Sequence, residues 1–294
     1  MGAPEDHIDW RDRPTLRRPV MLAAFEGWND AADAASSAAR YLKDRWGGRR
    51  FASLDPEEFY DFSSTRPEVR LVGGNARAID WPSNELWAAA LPGTQRDVVV
   101  LLGNEPQLRW RTFTEALVGV ATSLGVELVI TMGALLADVA HTRPVRITGT
   151  AADPDLVRRL ELAHSTYEGP TGIVGVLQDA FGRAGIPSAS LWAAVPHYVA
   201  ATPSPKASLA LVERAARLLC TDVVTADLQA LALDYERQVS EVVASDDDVS
   251  DYVRRLEESS DDGDSFASLA DMELPSGEAL AAELERFLRE HPGE

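Results

Sequence analysis

Pro19-Val-Met-Leu-Ala-Ala-Phe25, then Glu26-Gly-Trp-Asn-Asp30, then an Ala-rich run from Ala31 to Trp46, is the stretch that decides the fold class. The first segment has no charged side chain, so it reads as a strand covered on both faces. Gly27 makes a turn, Asn29 or Asp30 suits a helix N-cap, and Gly47-Gly48 stops the helix. The unit recurs along the chain. Asp97 to Gly103 is a second apolar strand, followed by a helix from Thr112 to Leu124 that Gly125 ends. Glu127 to Gly133 is a third strand, and Ser188 to Val195 a fourth. Thr171 to Gly185 and Pro205 to Leu219 read as helices, and Pro144 to Thr150 as a shorter, more polar strand. Covered strands alternating with helices predict an α/β fold, a three-layer sandwich with a mainly parallel central sheet.

Residues 51–91 break that rhythm. Asp55-Pro-Glu-Glu-Phe-Tyr-Asp61, Pro67 to Gly74 and Ile79-Asp-Trp-Pro82 read as short antiparallel strands and turns, an insertion at one sheet edge. Before the first strand lies an arm, residues 1–18. The α/β domain spans 19–222, and a helical C-terminal extension spans 223–294. Within the extension, helical patterns run over 225–244 and 249–258. Residues 259–275 form a polar acidic linker. A final amphipathic helix over 276–290 carries Leu280, Leu284, Phe287 and Leu288 at 3–4 spacing.

Composition narrows the function classes. The chain has 294 residues, 45% hydrophobic and 26% charged, which suits a globular protein with a sizeable core. Its net charge is −19, and residues 241–294 hold 17 acids against 4 bases. That sign repels phosphate backbones, so no nucleic-acid partner is expected. No apolar run reaches membrane-spanning length, so no membrane partner is expected either. Met1 to Arg18 lacks the apolar centre of a signal peptide. One cysteine, Cys220, excludes a disulfide framework, fits a cytoplasmic location and reads as a small buried residue.

The strand-end turns hold the candidate site. Glu26, Gly27, Trp28 and Asp30 follow the first strand, where α/β sheets place ligands. Gly103 and Glu105 follow the second, with Trp110 just beyond. Gly133 ends the third. Thr171, Gly172 and Gly175 open a helix, with Thr171 as its cap. His197 and Tyr198 follow the fourth. Glu26 and Glu105 near one crevice suit acid–base work or metal binding; they suit solvated turns equally. No Lys follows the glycines of 169–175, so no phosphate loop is read there, and close helix–sheet packing is the simpler account. The histidines lack metal-ligand spacing, and no nucleophile elbow is present. No catalytic residue, metal or cofactor is expected.

Taken in order, these turns resemble the proteasome assembly chaperone 2 family. The motifs are Gly27-Trp-x-Asp30 with its Ala-rich helix, Gly103-x-Glu-Pro106 with Trp110, and Gly133. Further on come Gly169-x-Thr-Gly-Ile-x-Gly175, Leu191-Trp-x-x-x-Pro-His-Tyr198 and Ser204-Pro-Lys-Ala207. The match covers residues 19–220 and is closest to an actinobacterial branch with an acidic helical extension. The resemblance implies a phosphorylase/hydrolase-like fold and a function of binding, not turnover. It implies a homo-oligomer, dimer or trimer, and proteasome subunits as candidate partners. The family's eukaryotic chaperones dock through a C-terminal hydrophobic-Tyr-any tail, a pattern from which Arg289-Glu-His-Pro-Gly-Glu294 departs. Self-assembly also has a basis in the aromatic residues of 51–91: Phe59, Tyr60, Phe62, Trp81 and Trp87. The rival expectation is an enzyme acting on a nucleoside or small peptide, or an ATP-dependent ligase, using Glu26, Asp30, Glu105 and Thr171.

Overall fold

The computed structural model describes residues 7–73, 76–164, 167–200 and 202–261. Its centre is β2 (Val20–Glu26), the strand expected from 19–25. Alternate residues of β2 serve opposite faces of the sheet. Val20, Leu22 and Ala24 join one core cluster, and Met21, Ala23 and Phe25 join the other. Every one of these side chains is buried, which is why the strand shows no polar alternation.

Four strands run parallel side by side: β7 (Asp97–Asn104), β2, β8 (Leu128–Ala137) and β10 (Ser188–Pro196). The flanks are antiparallel. β1 (Ile8–Trp10), β3 (Arg49–Leu54) and β6 (Asn84–Ala90) extend the sheet beyond β7, and β9 (Ile147–Ala151) extends it beyond β10. The eight-stranded sheet is therefore mixed, with the parallel part confined to its centre. The arm before β2 supplies an edge strand of this sheet. Within 51–91, β3 and β6 belong to the main sheet. Only the hairpin β4 (Glu68–Val72) and β5 (Ala76–Asp80) stands apart.

Helices α1 (Ala34–Arg45) and α5 (Pro205–Leu219) cover one face, with α3 (Pro154–Leu160) beside β9. Helices α2 (Trp110–Leu124) and α4 (Ile173–Arg183) cover the other. Phe59 and Tyr60 are part of that second core, where Phe59 and Phe113 meet edge to face at 5.3 Å. Trp87 is half-buried under the Lys43 ammonium, 4.4 Å from its ring centroid. Three of the aromatics expected at an interface are thus engaged by the fold itself.

The extension begins with α6 (Ala226–Val243) on α5 and continues as α7 (Asp247–Asp261). Residues 259–261, expected as linker, are the last of α7. The remainder of that linker and the expected helix over 276–290 lie outside the described residues. Cys220 is exposed, a correction to its expected burial. It takes a left-handed conformation (φ 52°) at the end of α5, a cap position that faces solvent. No helix among the described residues is long and apolar enough to cross a membrane.

Candidate functional site

The C-terminal ends of the four parallel strands share one edge of the sheet. At β2 the chain turns on Gly27, whose φ of 132° favours glycine. A Cβ there would also press on the Glu105 Cβ at 3.1 Å. Asp30 closes the turn through its N–H to the Gly27 carbonyl. Its Oδ1 accepts the N–H groups of Ala35 and Ser36 at 2.6 and 3.2 Å, so Asp30 caps α1 across an intervening 3-10 turn. Asp30 is buried, and burial raises its carboxyl above the ordinary range, with the like charge of Asp33 adding a little.

At β7, Glu105 ties three loops together. Its Oε1 accepts the Asn29 side-chain amide at 3.0 Å and the Ile173 backbone N–H at 2.8 Å. Its Oε2 accepts the Trp28 backbone N–H at 3.3 Å. Ile173 opens α4, so this carboxylate supplies the negative charge that a helix N-terminus favours. That corrects the expected role of Thr171: the cap position is Gly172, and no side chain from its own loop caps the helix. Gly172 is required by closeness, since a Cβ would stand 2.1 Å from Asn29 Nδ2. Gly175 does not bring the helix onto the sheet; a Cβ there would meet Thr171 Oγ1 at 2.0 Å.

Glu26 is held too. Arg40 Nη2 reaches its Oε1 at 2.8 Å, and Asn104 Nδ2 its Oε2 at 3.2 Å. The Asn104 carbonyl accepts the Tyr60 hydroxyl at 2.7 Å, and burial raises the Tyr60 pKa. Between these loops lies a groove of about 440 Å³ lined by Asn104, Glu105 and Pro106. Trp28, Trp110, Thr65 and Gln107 also line it. Trp28 is 57% exposed. Arg109 is drawn off to Glu58 at 2.6 Å.

The other candidates lie elsewhere. Gly103 makes room for Asn84 in the β6–β7 pairing, where a Cβ would come within 2.1 Å of the Ser83 carbonyl oxygen. Gly133 lies opposite Trp192 on β10, whose ring fills the space a side chain would need. His197 and Tyr198 follow β10 and hold the C-terminal helices. His197 Nδ1 is 3.1 Å from Asp138, and Tyr252 of α7 donates to the same Asp138 oxygen at 3.1 Å. The rings of His197, Tyr198 and Tyr252 meet edge to face.

Tyr198 leads to His141, a residue that sequence spacing did not single out. The Tyr198 oxygen accepts the His141 N–H at 2.8 Å and lies 2.8 Å from its Nδ1. His141 Nε2 is 3.0 Å from Ser240 Oγ, and that hydroxyl donates to the Glu236 carbonyl at 2.8 Å. Ser240 therefore accepts from Nε2–H, and Nδ1 accepts from Tyr198: the neutral imidazole with its proton on Nε2. Burial and the Lys206 ammonium lower the His141 pKa against the opposing pull of Glu236 and Glu257. Burial pushes the Tyr198 hydroxyl up to about 12. Asn29, Arg40 and His141 carry the geometry, and only Asn29 had a sequence signal, as a cap. Among the described residues no three His, Cys, Asp or Glu side chains gather as a metal site.

Comparisons with known proteins agree with this architecture. The model of the PAC2 family matches residues 24–243. A PAC2 family protein from Streptomyces avermitilis is 49% identical, with a TM-score of 0.76 over 80% of this chain and 99% of that one. A proteasome-assembly chaperone homologue from Mycobacterium tuberculosis is 45% identical, with a TM-score of 0.73 over 80% of this chain and 99% of that one. An archaeal proteasome activator from Pyrococcus furiosus is 16% identical and shares the fold, with a TM-score of 0.66 over 80% of this chain and 97% of that one. No match to the chain is found among curated proteins.

Proposed function

The chain belongs to the PAC2 family, and on that premise we propose that it works by binding other proteins, as a self-associating assembly factor whose clients are proteasome subunits. The occupied carboxylate of Glu105 carries the reading. A general acid, base or metal ligand needs free lone pairs or a mobile proton facing the substrate. Glu105 accepts three donors and Glu26 two, so most of their acceptor capacity goes to fixing the groove's loops. What the groove offers is aromatic surface: Trp28, exposed, and Trp110, both in its lining. Rigid aromatic side chains at a concave patch are the common anchors of protein contacts. The proteasome-assembly chaperone homologue at 45% identity supports the choice of client. A cytoplasmic location belongs to the same proposal.

Affinity capture tests it. The tagged full chain enriches proteasome α-subunits from a lysate of a proteasome-bearing actinobacterium, and Trp28→Ala loses that enrichment at least tenfold. A wild-type chain that enriches no α-subunit sinks the client assignment. A thermal-shift screen with nucleosides, phosphate and ATP with Mg²⁺ tests the opposite class. Stabilisation by one of these near the ~2.7 kcal/mol expected at a hundredfold excess over the dissociation constant would move the protein to the enzymes.

A further inference from the structure

The hairpin β4–β5 pairs with no other strand among the described residues. All of β4 is exposed, and all of β5 except the half-exposed Ala78. An isolated two-stranded sheet is at best marginally stable in water. Its register sorts its faces. Val69 lies opposite Ile79 and Leu71 opposite Arg77, so these four side chains share one face. The other face carries the Arg70–Asp80 ion pair at 2.6 Å. On the first face Val69, Leu71 and Ile79 are 60%, 66% and 52% exposed. Trp81 continues the alternation at the hairpin's base, 49% exposed and edge-on to Phe62 at 4.8 Å.

We propose that this face is a contact between two copies of the chain related by a two-fold axis. The inference rests on the self-associating part of the functional reading and names its surface. Self-complementarity selects a second copy as the occupant, and local charge permits it. Two bodies of charge −19 repel, and a contact between them needs a patch where that repulsion is locally absent. The hairpin is such a patch: Glu68 and Asp80 are matched by Arg70 and Arg77, and the apolar face itself carries Arg77 and no carboxylate. The face is also complementary to itself. A two-fold contact brings the tip of one hairpin to the base of the other. Arg77, toward the tip, then meets the exposed Trp81 ring of the second copy, and the same cation–π contact forms again on the other side of the axis. Val69, Leu71 and Ile79 cover their counterparts between the two. Against the roughly 800 Å² per partner of a standard interface the face is small, so the association is concentration-dependent.

Size-exclusion chromatography with light scattering, run on the full chain from about 1 to 200 µM, tests the contact. Wild type rises above the 31.9 kDa of one chain, and Ile79→Asp stays at monomer mass with unchanged circular dichroism and melting. Leu71→Lys, on the other strand, does the same and guards against a folding defect peculiar to one variant. Arg77→Gln weakens association about fivefold, the scale of an exposed cation–π contact. Wild type oligomeric and both apolar variants equally oligomeric overturns the surface and leaves self-association standing. A wild type that is monomeric throughout overturns both.

Discussion

The same edge of the sheet is used in two opposite ways. At the ends of β2 and β7 the Glu105 carboxylate ties the loops to one another, and a groove stays open beside them. At the ends of β8 and β10 the chain's own helices α6 and α7 cover the edge, held by His141, Tyr198, His197 and Tyr252. Strand ends of a parallel sheet leave loop backbone and helix termini that need partners. One half meets that need with a carboxylate from a neighbouring loop, which leaves room for a ligand. The other half meets it with packed aromatic rings, which leave little. The difference is an open groove on the β2–β7 half and packed helices over the β8–β10 half.

The largest expected effect breaks the scaffold of the open half. Gly103→Ala drives a Cβ to 2.1 Å from the backbone oxygen of Ser83, an obstacle no rotamer change can move. The loss of unfolding free energy reaches ~3 kcal/mol, the top of the usual overpacking range, as read by urea denaturation. Gly133→Ala, on the covered half, meets only the Trp192 ring and costs less. Equal losses in the two variants would show that side-chain and backbone obstacles are not distinguished here.

Next comes the junction itself. Glu105→Ala leaves the Ile173 and Trp28 N–H groups and the Asn29 amide without their acceptor. The cost is about 2 kcal/mol, and amide exchange quickens at Trp28 and Ile173 but not in α6. Exchange that quickens equally in both halves would deny that the two are held separately.

Acid separates the halves from the other side. The folded-state pKa of His141 lies below its ordinary value, so the unfolded chain takes up the proton first. The stability His141 contributes is complete above about pH 7 and falls as pH drops through 6.5 toward the lowered value. Hydrogen exchange of α6 and α7 therefore rises between pH 7 and 5.5 before that of the β2–β7 loops, and His141→Gln flattens the change. An unaltered pH profile in that variant would assign the effect elsewhere.

The smallest effect on stability is the most telling for function. Trp28→Ala, at an exposed position, shifts unfolding by no more than ~0.5 kcal/mol, although under the proposed function it lowers client capture at least tenfold. A large loss of stability instead would make Trp28 part of the core.

Much of the frame was legible because its signals are local. The apolar runs of β2, β7, β8 and β10, the glycine stops and the Asp30 cap lie within a few residues of the features they specify. Gly27 and Glu105 were both read as strand-end residues, and they do meet. Their relation was not legible. Glu105 caps a helix 68 residues onward, and nothing in the local pattern of 169–175 announces a cap from another loop. His141 is one of the histidines whose spacing carries no metal-ligand pattern. It became the key of the covered half only once α6 brought Ser240 to its ring, 99 residues away in sequence. The aromatic residues of 51–91 were similarly ambiguous, because Phe59 in a core and Trp81 at a surface have the same composition.

What the amino-acid order determined unaided was the set of elements and the class of fold: periodicity, caps and breakers act within one turn or one strand, and tertiary context need only assemble them. The pairing of distant groups was left to the assembled sheet. Whether a carboxylate is free or spent, and whether a strand end is open or covered, depends on strand order and helix placement. Those are fixed by burial summed over the whole core, a sum that no short window of sequence contains.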